Sequence, residues 1–324
     1  MSLNGVPVLE VTDLRKTFGS GSRRVEAVRG ISFRVQRGEV VGLLGPNGAG
    51  KTTTIKCILG LMQPTSGEIR LGGELLQGNY PRILSQVSGV LEGSRNIYWR
   101  MSVRDNISFF AGINGVSEAA GRDYFDHLIE LFGLQEKRRA EVRSLSQGMK
   151  QKVAIACVLA KQTPLVFLDE PTLGLDIETS YELRETLKRL ATHEERTLVV
   201  SSHDMDVIQD ICQRVIIVSG GKVVTDQSVE SLLQLFRTRT FRVVVAGSVN
   251  GWLDKALAAR FAHCRVTRTD YQTQVEVDLE HEDHIYDLID LLRESGAKIE
   301  TLNQQEPDLE RVFLAIVRRE RGEQ

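Results

Sequence analysis

The segment GPNGAGKTT, from Gly45 to Thr53, constrains this chain more than any other. It follows the apolar run EVVGLL and opens into TTTIKCILGL, so its glycines sit between a buried strand and a helix, the setting in which such a loop binds phosphate. Gly45, Gly48 and Gly50 let consecutive N–H groups wrap an anion at a helix N-terminus. Pro46, Asn47 and Ala49 complete the loop. Lys51 supplies a mobile positive charge for the outer phosphates, and the Thr52 hydroxyl, followed by Thr53, is placed for Mg²⁺. The pattern predicts a nucleoside triphosphate as ligand.

A chain of 324 residues suggests about two domains. Its net charge of −2 provides no overall attraction to nucleic acid, and no nucleic-acid partner is expected. Short basic clusters at Arg23-Arg24, Lys137-Arg138-Arg139 and Arg318-Arg319 read as solvated faces. Cys57, Cys157, Cys212 and Cys264 are scattered without a C-x-x-C pair and read as small buried hydrophobes of a reducing compartment. His281 and His284 flank Glu282-Asp283 without a third ligand cluster, which suits a polar helix start better than a metal site. The N-terminal residues have no signal-peptide pattern, and no apolar run approaches the ~20 residues of a membrane span. The expected location is the cytoplasm.

Short alternating segments from Val8 to Leu44 suggest antiparallel strands leading into the phosphate loop. The apolar strands PLVFLDE and TLVVSSH, with helical sequence between them, imply a parallel sheet covered on both faces. The predicted fold is α/β: a P-loop NTPase core with an antiparallel β subdomain and a helical insertion at about 93–163, over residues 1–237. From 238 to 324, strand FRVVVAG, helix WLDKALAARF, strand QVEVDL and helix HIYDLIDLL predict a small α+β accessory domain. A final helix is expected to place Leu309, Val312, Phe313, Ile316 and Val317 on one side, with Pro307 in its first turn.

Open α/β sheets bind ligands at the carboxyl ends of their strands. There LVFLDEP supplies Asp169, a partner for Mg²⁺, and Glu170, placed to orient and polarise an attacking water. His203, after the next strand, either reaches the γ-phosphate or caps the loop. Ser146, Gln147 and Gly148 precede a long apolar helix and form a second anion site. One chain has no need of two such sites for one γ-phosphate, whereas a second copy would.

The ordered set GPNGAGKTT, LSQGMKQK, VFLDEP, GLD and SSHD resembles the ATP-binding subunit of an ABC transporter over about the first 235 residues. The resemblance implies ATP and Mg²⁺ as cofactors, ATP hydrolysis as the reaction, and a homodimer, or a pair with a paralogous ATPase subunit. The LSQGM loop of one subunit then closes over ATP held by the phosphate loop of the other. It also implies an integral membrane permease as partner, with this chain peripheral on the inner face of the membrane. Leu173 to Asp176 match the loop that communicates across the dimer, and Phe18 either stacks on adenine or belongs to the first sheet's core. Gln147 and Met149 depart from the usual signature in a way that resembles exporters of drugs, antibiotics and related lipophilic cargo. The C-terminal run EPDLERVFLAIV resembles the extension of antibiotic-exporter ATPases, with dimer stabilisation or regulation, or else small-ligand sensing, as its role. A soluble ABC-type ATPase acting on DNA or ribosomes is disfavoured by the single motif set and the absence of a long coiled-coil insertion. A nucleotide-binding module without catalysis is opposed by the intact Asp169-Glu170 pair and His203.

The glutamine usual after the second core strand is Glu92 here. A carboxylate also ligates Mg²⁺ but adds negative charge beside the triphosphate. Arg95, Asn96, Tyr98 and Trp99 lie just beyond it, in a loop that either packs on the helical insertion or receives a short helix of the membrane subunit. If Glu92 senses the metal, ATPase activity titrated with Mg²⁺ shifts its midpoint in Glu92→Gln; superimposable curves would remove that role.

Overall fold

The computed structural model describes residues 6–76, 80–81, 85–92, 97–193, 196–235, 239–247, 251–261, 264–269, 271–279, 283–304, 309, 312–314 and 316. They divide into two compact units after Val229, the second running from Glu230 to Leu314.

The first unit begins with β1 (Leu9–Phe18) and β2 (Val25–Val35), an antiparallel pair whose alternating burial puts Leu9, Val11 and Leu14 inward. Next come β3 (Val40–Leu44), the helix Lys51–Ile58, β4 (Ser66–Leu71) and β5 (Glu74–Leu75). β6 (Val87–Val90) is followed by the helices Val103–Ile113, Glu118–Leu131 and Gln147–Leu159. Ser102, Ser117 and Ser146 cap these three, their hydroxyls accepting from the N–H of Asp105, Ala120 and Met149. β7 (Leu165–Asp169), the helix Ile177–His193, β8 (Thr197–Ser202), the helix Met205–Ile211, β9 (Arg214–Ser219) and β10 (Lys222–Ser228) complete it, with a helix at Val229–Leu235 bridging to the second unit.

Two sheets result. One has the order β2-β1-β4-β5 and is antiparallel; the other has the order β10-β9-β3-β8-β7-β6, parallel except for β10. β3, β7 and β8 are buried along their whole length, which is why they read as unbroken apolar runs rather than alternations. A single core joins the sheets, with Leu9, Val11 and Ile31 packed in the same cluster as Leu43, Ile55, Phe167 and Ile216. The antiparallel strands, the parallel sheet and the helices between β6 and β7 match the architecture expected from the sequence.

The second unit contains β11 (Arg239–Ala246), the helix Trp252–Arg260, β12 (Cys264–Arg268), β13 (Gln272–Leu279), the helix His284–Glu294 and β14 (Lys298–Gln304). Its antiparallel sheet has the order β12-β13-β11-β14, a ferredoxin-like βαββαβ arrangement. Val243, Val245, Val275 and Val277 face Leu253, Leu257, Leu288 and Leu292 in a core of its own. His284 begins a helix, as expected, while His281, Pro307 and Val317 lie outside the described residues. Leu309, Val312 and Phe313 are buried.

Cys57, Cys157 and Cys212 are buried, and burial pushes all three thiols up, Cys57 to about 11, despite the opposing pull of Lys16 on Cys57. Cys264 is half-buried. Because the thiolate is the reacting species, a disulfide reagent at pH 8 should titrate Cys264 in the folded protein and reach the other three only after unfolding. Rapid reaction of a second thiol in the native state would contradict this packing.

Candidate nucleotide site

The phosphate loop leaves β3 at Leu44, and its glycines answer demands of space and of backbone angle. A Cβ on Gly45 would lie 2.2 Å from the Val218 carbonyl oxygen of β9, so this position needs the space rather than an unusual backbone angle. Gly50 has φ +104° and precedes the helix Lys51–Ile58; a Cβ there would meet the Ala27 oxygen of β2 at 2.5 Å. Pro46 is half-buried, Asn47 and Gly48 are exposed, Ala49 is buried, and Thr52 and Thr53 are half-buried on the first helical turn. The Lys51 ammonium folds back over the loop and donates to the carbonyls of Gly45 at 2.6 Å and Pro46 at 3.4 Å. Burial lowers its pKa, opposed by the charges of Glu170 and then Asp169.

Parallel register brings the other groups to the same edge. Leu44 pairs with Ser202, and Asp169 with Ser201. Asp169 is buried; its Oδ1 accepts from the Ser201 hydroxyl and from Thr52 Oγ1 at 3.4 Å, while its Oδ2 is buried without a partner among the described residues. At Glu170 the chain turns sharply, with φ +51° and its N–H donating to the Ser201 carbonyl at 2.9 Å. That left-handed conformation is strained for a residue with a side chain. It sets Glu170 Oε2 2.9 Å from His203 Nδ1, with Ser202 Oγ and the His203 N–H each at 3.4 Å. His203 thus engages the carboxylate through Nδ1, and its Nε2 is left for another partner.

A hydroxyl and a buried carboxylate with one orphaned oxygen are oxygen donors that suit a hard cation better than a soft one, so the residues fit Mg²⁺. Glu92 is exposed just beyond β6, whose Val90 pairs with Leu168, and so leaves the sheet at the same edge as Asp169.

A second group of expected residues lies together elsewhere. Ser146 and Gln147 are exposed at the start of their helix, and Gly148 is packed so closely that a Cβ would sit 2.3 Å from Thr179 Cγ2. Thr179 in turn donates from its N–H and hydroxyl to Asp176 at 2.9 and 2.8 Å, and these bonds lower the pKa of Asp176. Leu173 and Ile177, on either side of this cap, are 45% and 89% exposed. Among the described residues no hydrogen bond joins Ser146–Gly148, Asp176 or Thr179 to Lys51, Asp169 or Glu170, although the Leu173 N–H donates to the Glu170 carbonyl at 3.2 Å. Phe18 ends β1, 40% exposed, with the Lys16 ammonium 5.3 Å from its ring centroid.

Sequence reasoning passed over the serines at the end of β8. Ser201 and Ser202 hold the two carboxylates, and the only signal for them was their place in SSH at the end of an apolar strand. Tyr98 stacks on Phe110 and meets Phe109 edge-on, yet stays half-exposed beside Trp99; Arg95 and Asn96 lie outside the described residues. Next to them is a cavity of about 370 Å³ lined by Gly89, Ile97, Tyr98, Phe110, Cys157 and Lys161, among others.

The sequence profile described as "ABC transporter" matches residues 28–173. The chain is 32% identical to the ABC transporter ATP-binding protein NatA of Bacillus subtilis, over 73% of this chain and 96% of that protein. It is 29% identical to the linearmycin resistance ATP-binding protein LnrL of the same organism, over 96% of this chain and 99% of LnrL. Among solved structures it resembles cbiO1 of Clostridium perfringens, with a TM-score of 0.63 and 27% identity over 70% of this chain and 91% of that one. A P-loop ATPase fold with its phosphate loop, carboxylates and histidine at one sheet edge is therefore joined by sequence kinship. The chain belongs to the ABC transporter family, as an ATP-binding, ATP-hydrolysing member.

Gly45→Ala should cripple nucleotide binding, because the added methyl meets a β9 carbonyl and the loop must move. Titration with a fluorescent ATP analogue would show this as a weakened affinity with little change in far-UV circular dichroism; unchanged affinity would show that the loop tolerates the methyl.

Proposed function

We propose that two copies of this chain close head to tail around two ATP molecules and drive a separate membrane permease that exports drugs, antibiotics or other lipophilic cargo. The observation that carries the reading is the paired arrangement at the sheet edge: a buried Asp169 with an orphaned oxygen beside Thr52, and Glu170 held against His203. The separation of the Ser146–Gly148 and Asp176 group from the phosphate loop supports a site completed by a second chain, as do the exposed Leu173 and Ile177.

In this mechanism the amides of Gly48 to Lys51 receive the phosphates, whose oxygens replace the Gly45 and Pro46 carbonyls as partners of the Lys51 ammonium. Thr52, Asp169 and Glu92 would hold Mg²⁺, which when bound would supply positive charge against the charge developing on the phosphoryl oxygens. Ser146 and Gly148 of the opposite copy donate to the γ-phosphate, and closure excludes water from the donors. Glu170 accepts the proton of the attacking water, and His203, bonded to it through Nδ1, fixes the carboxylate while its Nε2 faces the transferred group. Phe18 stacks on the base. Loss of the shared γ-phosphate then favours the open pair, so the permease feels a change of population between two arrangements.

The export reading draws on the similarity to LnrL, named as a resistance protein and matched along nearly its whole length, second unit included. The half-exposed Tyr98 and Trp99 beside their cavity suit a short permease helix. The chain from Glu230 to Leu314 is an accessory domain in this reading. No helix among the described residues is long and apolar enough to cross a membrane; in this reading the chain sits at the cytoplasmic face, held there by the permease.

Replacing Glu170 with Gln should slow phosphate release roughly 10²–10⁴-fold, the contribution of a positioned base, while ATP still binds. With the same variant and saturating ATP, light scattering should report a dimer. Normal turnover would take Glu170 out of the base role, and single chains under all conditions, permease included, would end the two-copy reading.

A further inference from the structure

The last strand of the second unit's sheet, β14, is an edge strand that no described residue completes. β14 pairs on one side only, with β11, and all seven of its residues are exposed. We propose that β14 pairs antiparallel with β14 of a second copy of this chain, joining two four-stranded sheets into one continuous sheet. This goes beyond the ATP-dependent closure above, since it involves neither the nucleotide nor the first unit.

The register on β11 identifies which side chains such pairing would cover. Leu302 lies opposite Val243 and Ile299 opposite Val245, so both belong to the face that the helices Trp252–Arg260 and His284–Glu294 bury. Val243 and Val245 are fully covered, yet Ile299 and Leu302 are 41% and 36% exposed. The apolar layer therefore runs out to the rim of the sheet and stops there uncovered. Glu300 is the additional residue of a bulge, between the pairs Thr301–Val244 and Ile299–Val245, which lets Ile299 and Leu302 share a face despite their spacing of three.

That spacing has a symmetry consequence. A two-fold axis between Glu300 and Thr301 sets Ile299 opposite Leu302 of the second copy, and Leu302 opposite its Ile299, so one isologous contact covers four apolar side chains. Charge favours the same partner: β14 carries Lys298 and Glu300 and is neutral, so copying it across an axis brings no net repulsion. The opposite edge, β12, carries Arg265 and Arg268 with no acid in the strand and exposes no large apolar side chain among the described residues. Long exposed strands with apolar residues are templates for pairing with another chain, and among the described residues β14 is the edge of this sheet with that character.

A seven-residue contact is small beside the ~1,600 Å² of a standard interface. Between free chains it forms transiently, which a covalent cross-linker captures, and effective concentration strengthens it once two chains are already held by ATP or by one permease. In that setting the β14 contact keeps the second units joined after the γ-phosphate is lost, a step of the sequence that rests on the two-copy reading.

The test uses the full chain carrying Cys264→Ser, so that the remaining native thiols are buried, plus one new cysteine. Thr301→Cys lies beside the proposed axis and Thr267→Cys on β12 is the control. A short bis-maleimide should link Thr301→Cys chains into dimers with and without ATP, faster than Thr267→Cys chains. Adding Ile299→Lys and Leu302→Lys should slow that linkage by at least about ten-fold, with thermal melts confirming that each variant folds. Linkage at 301 no faster than at 267, or untouched by the two lysines, overturns the proposal. If 301 links while the Glu170→Gln protein stays monomeric with ATP, the strand pairing stands and the ATP-closed dimer falls.

Discussion

The parallel ladder through β3, β8 and β7 is the constraint on which the rest depends. Leu44 stands beside Ser202 and Ser201 beside Asp169, so three strands run out of hydrogen-bonding partners at one level. The glycine loop, the Asp169-Glu170 turn and His203, each leaving one of these strands, are then forced into one small volume. A slip of one residue in β7 would turn Asp169 toward the opposite face of the sheet. All three strands are buried along their whole length, so a slip would also carry the Asp169 carboxylate into apolar surroundings without its serine partner.

The same burial sets the electrostatics. Asp169 and Lys51 are both almost wholly enclosed, and neither has a direct ion-pair bond to the other; the lysine leans on carbonyl oxygens and the aspartate on hydroxyls. Buried charges held by neutral dipoles keep part of their demand for a partner unmet. The orphaned Oδ2 of Asp169 makes that demand visible. A site built this way gains most from a ligand that carries both negative phosphates and a cation.

The parts of this fold with strong chemistry or strong burial were legible in the sequence. The phosphate loop, VFLDE, TLVVSSH and the capped helix at Ser146 are either continuous apolar runs or turns that only a few residue types permit. The second unit was less so: β14, KIETLNQ, has two apolar residues in seven at a spacing that fits neither a strand nor a helix, because a bulge intervenes. β12 likewise alternates without a buried face strong enough to register. The roles of Ser201 and Ser202 depended on strand register, which one-dimensional pattern does not supply. Nor did the sequence distinguish Gly45, which needs space alone, from Gly50, which needs its dihedral angle as well.

The turn at Glu170 has a further consequence for how such a chain drifts over generations. A side chain held at φ +51° costs about 1–3 kcal/mol of folding free energy. Glycine at that position would relieve the tension and yield a hardier protein with no carboxylate to offer. Selection for robustness alone therefore pulls this residue away from its task, and only the demand for turnover holds it in place.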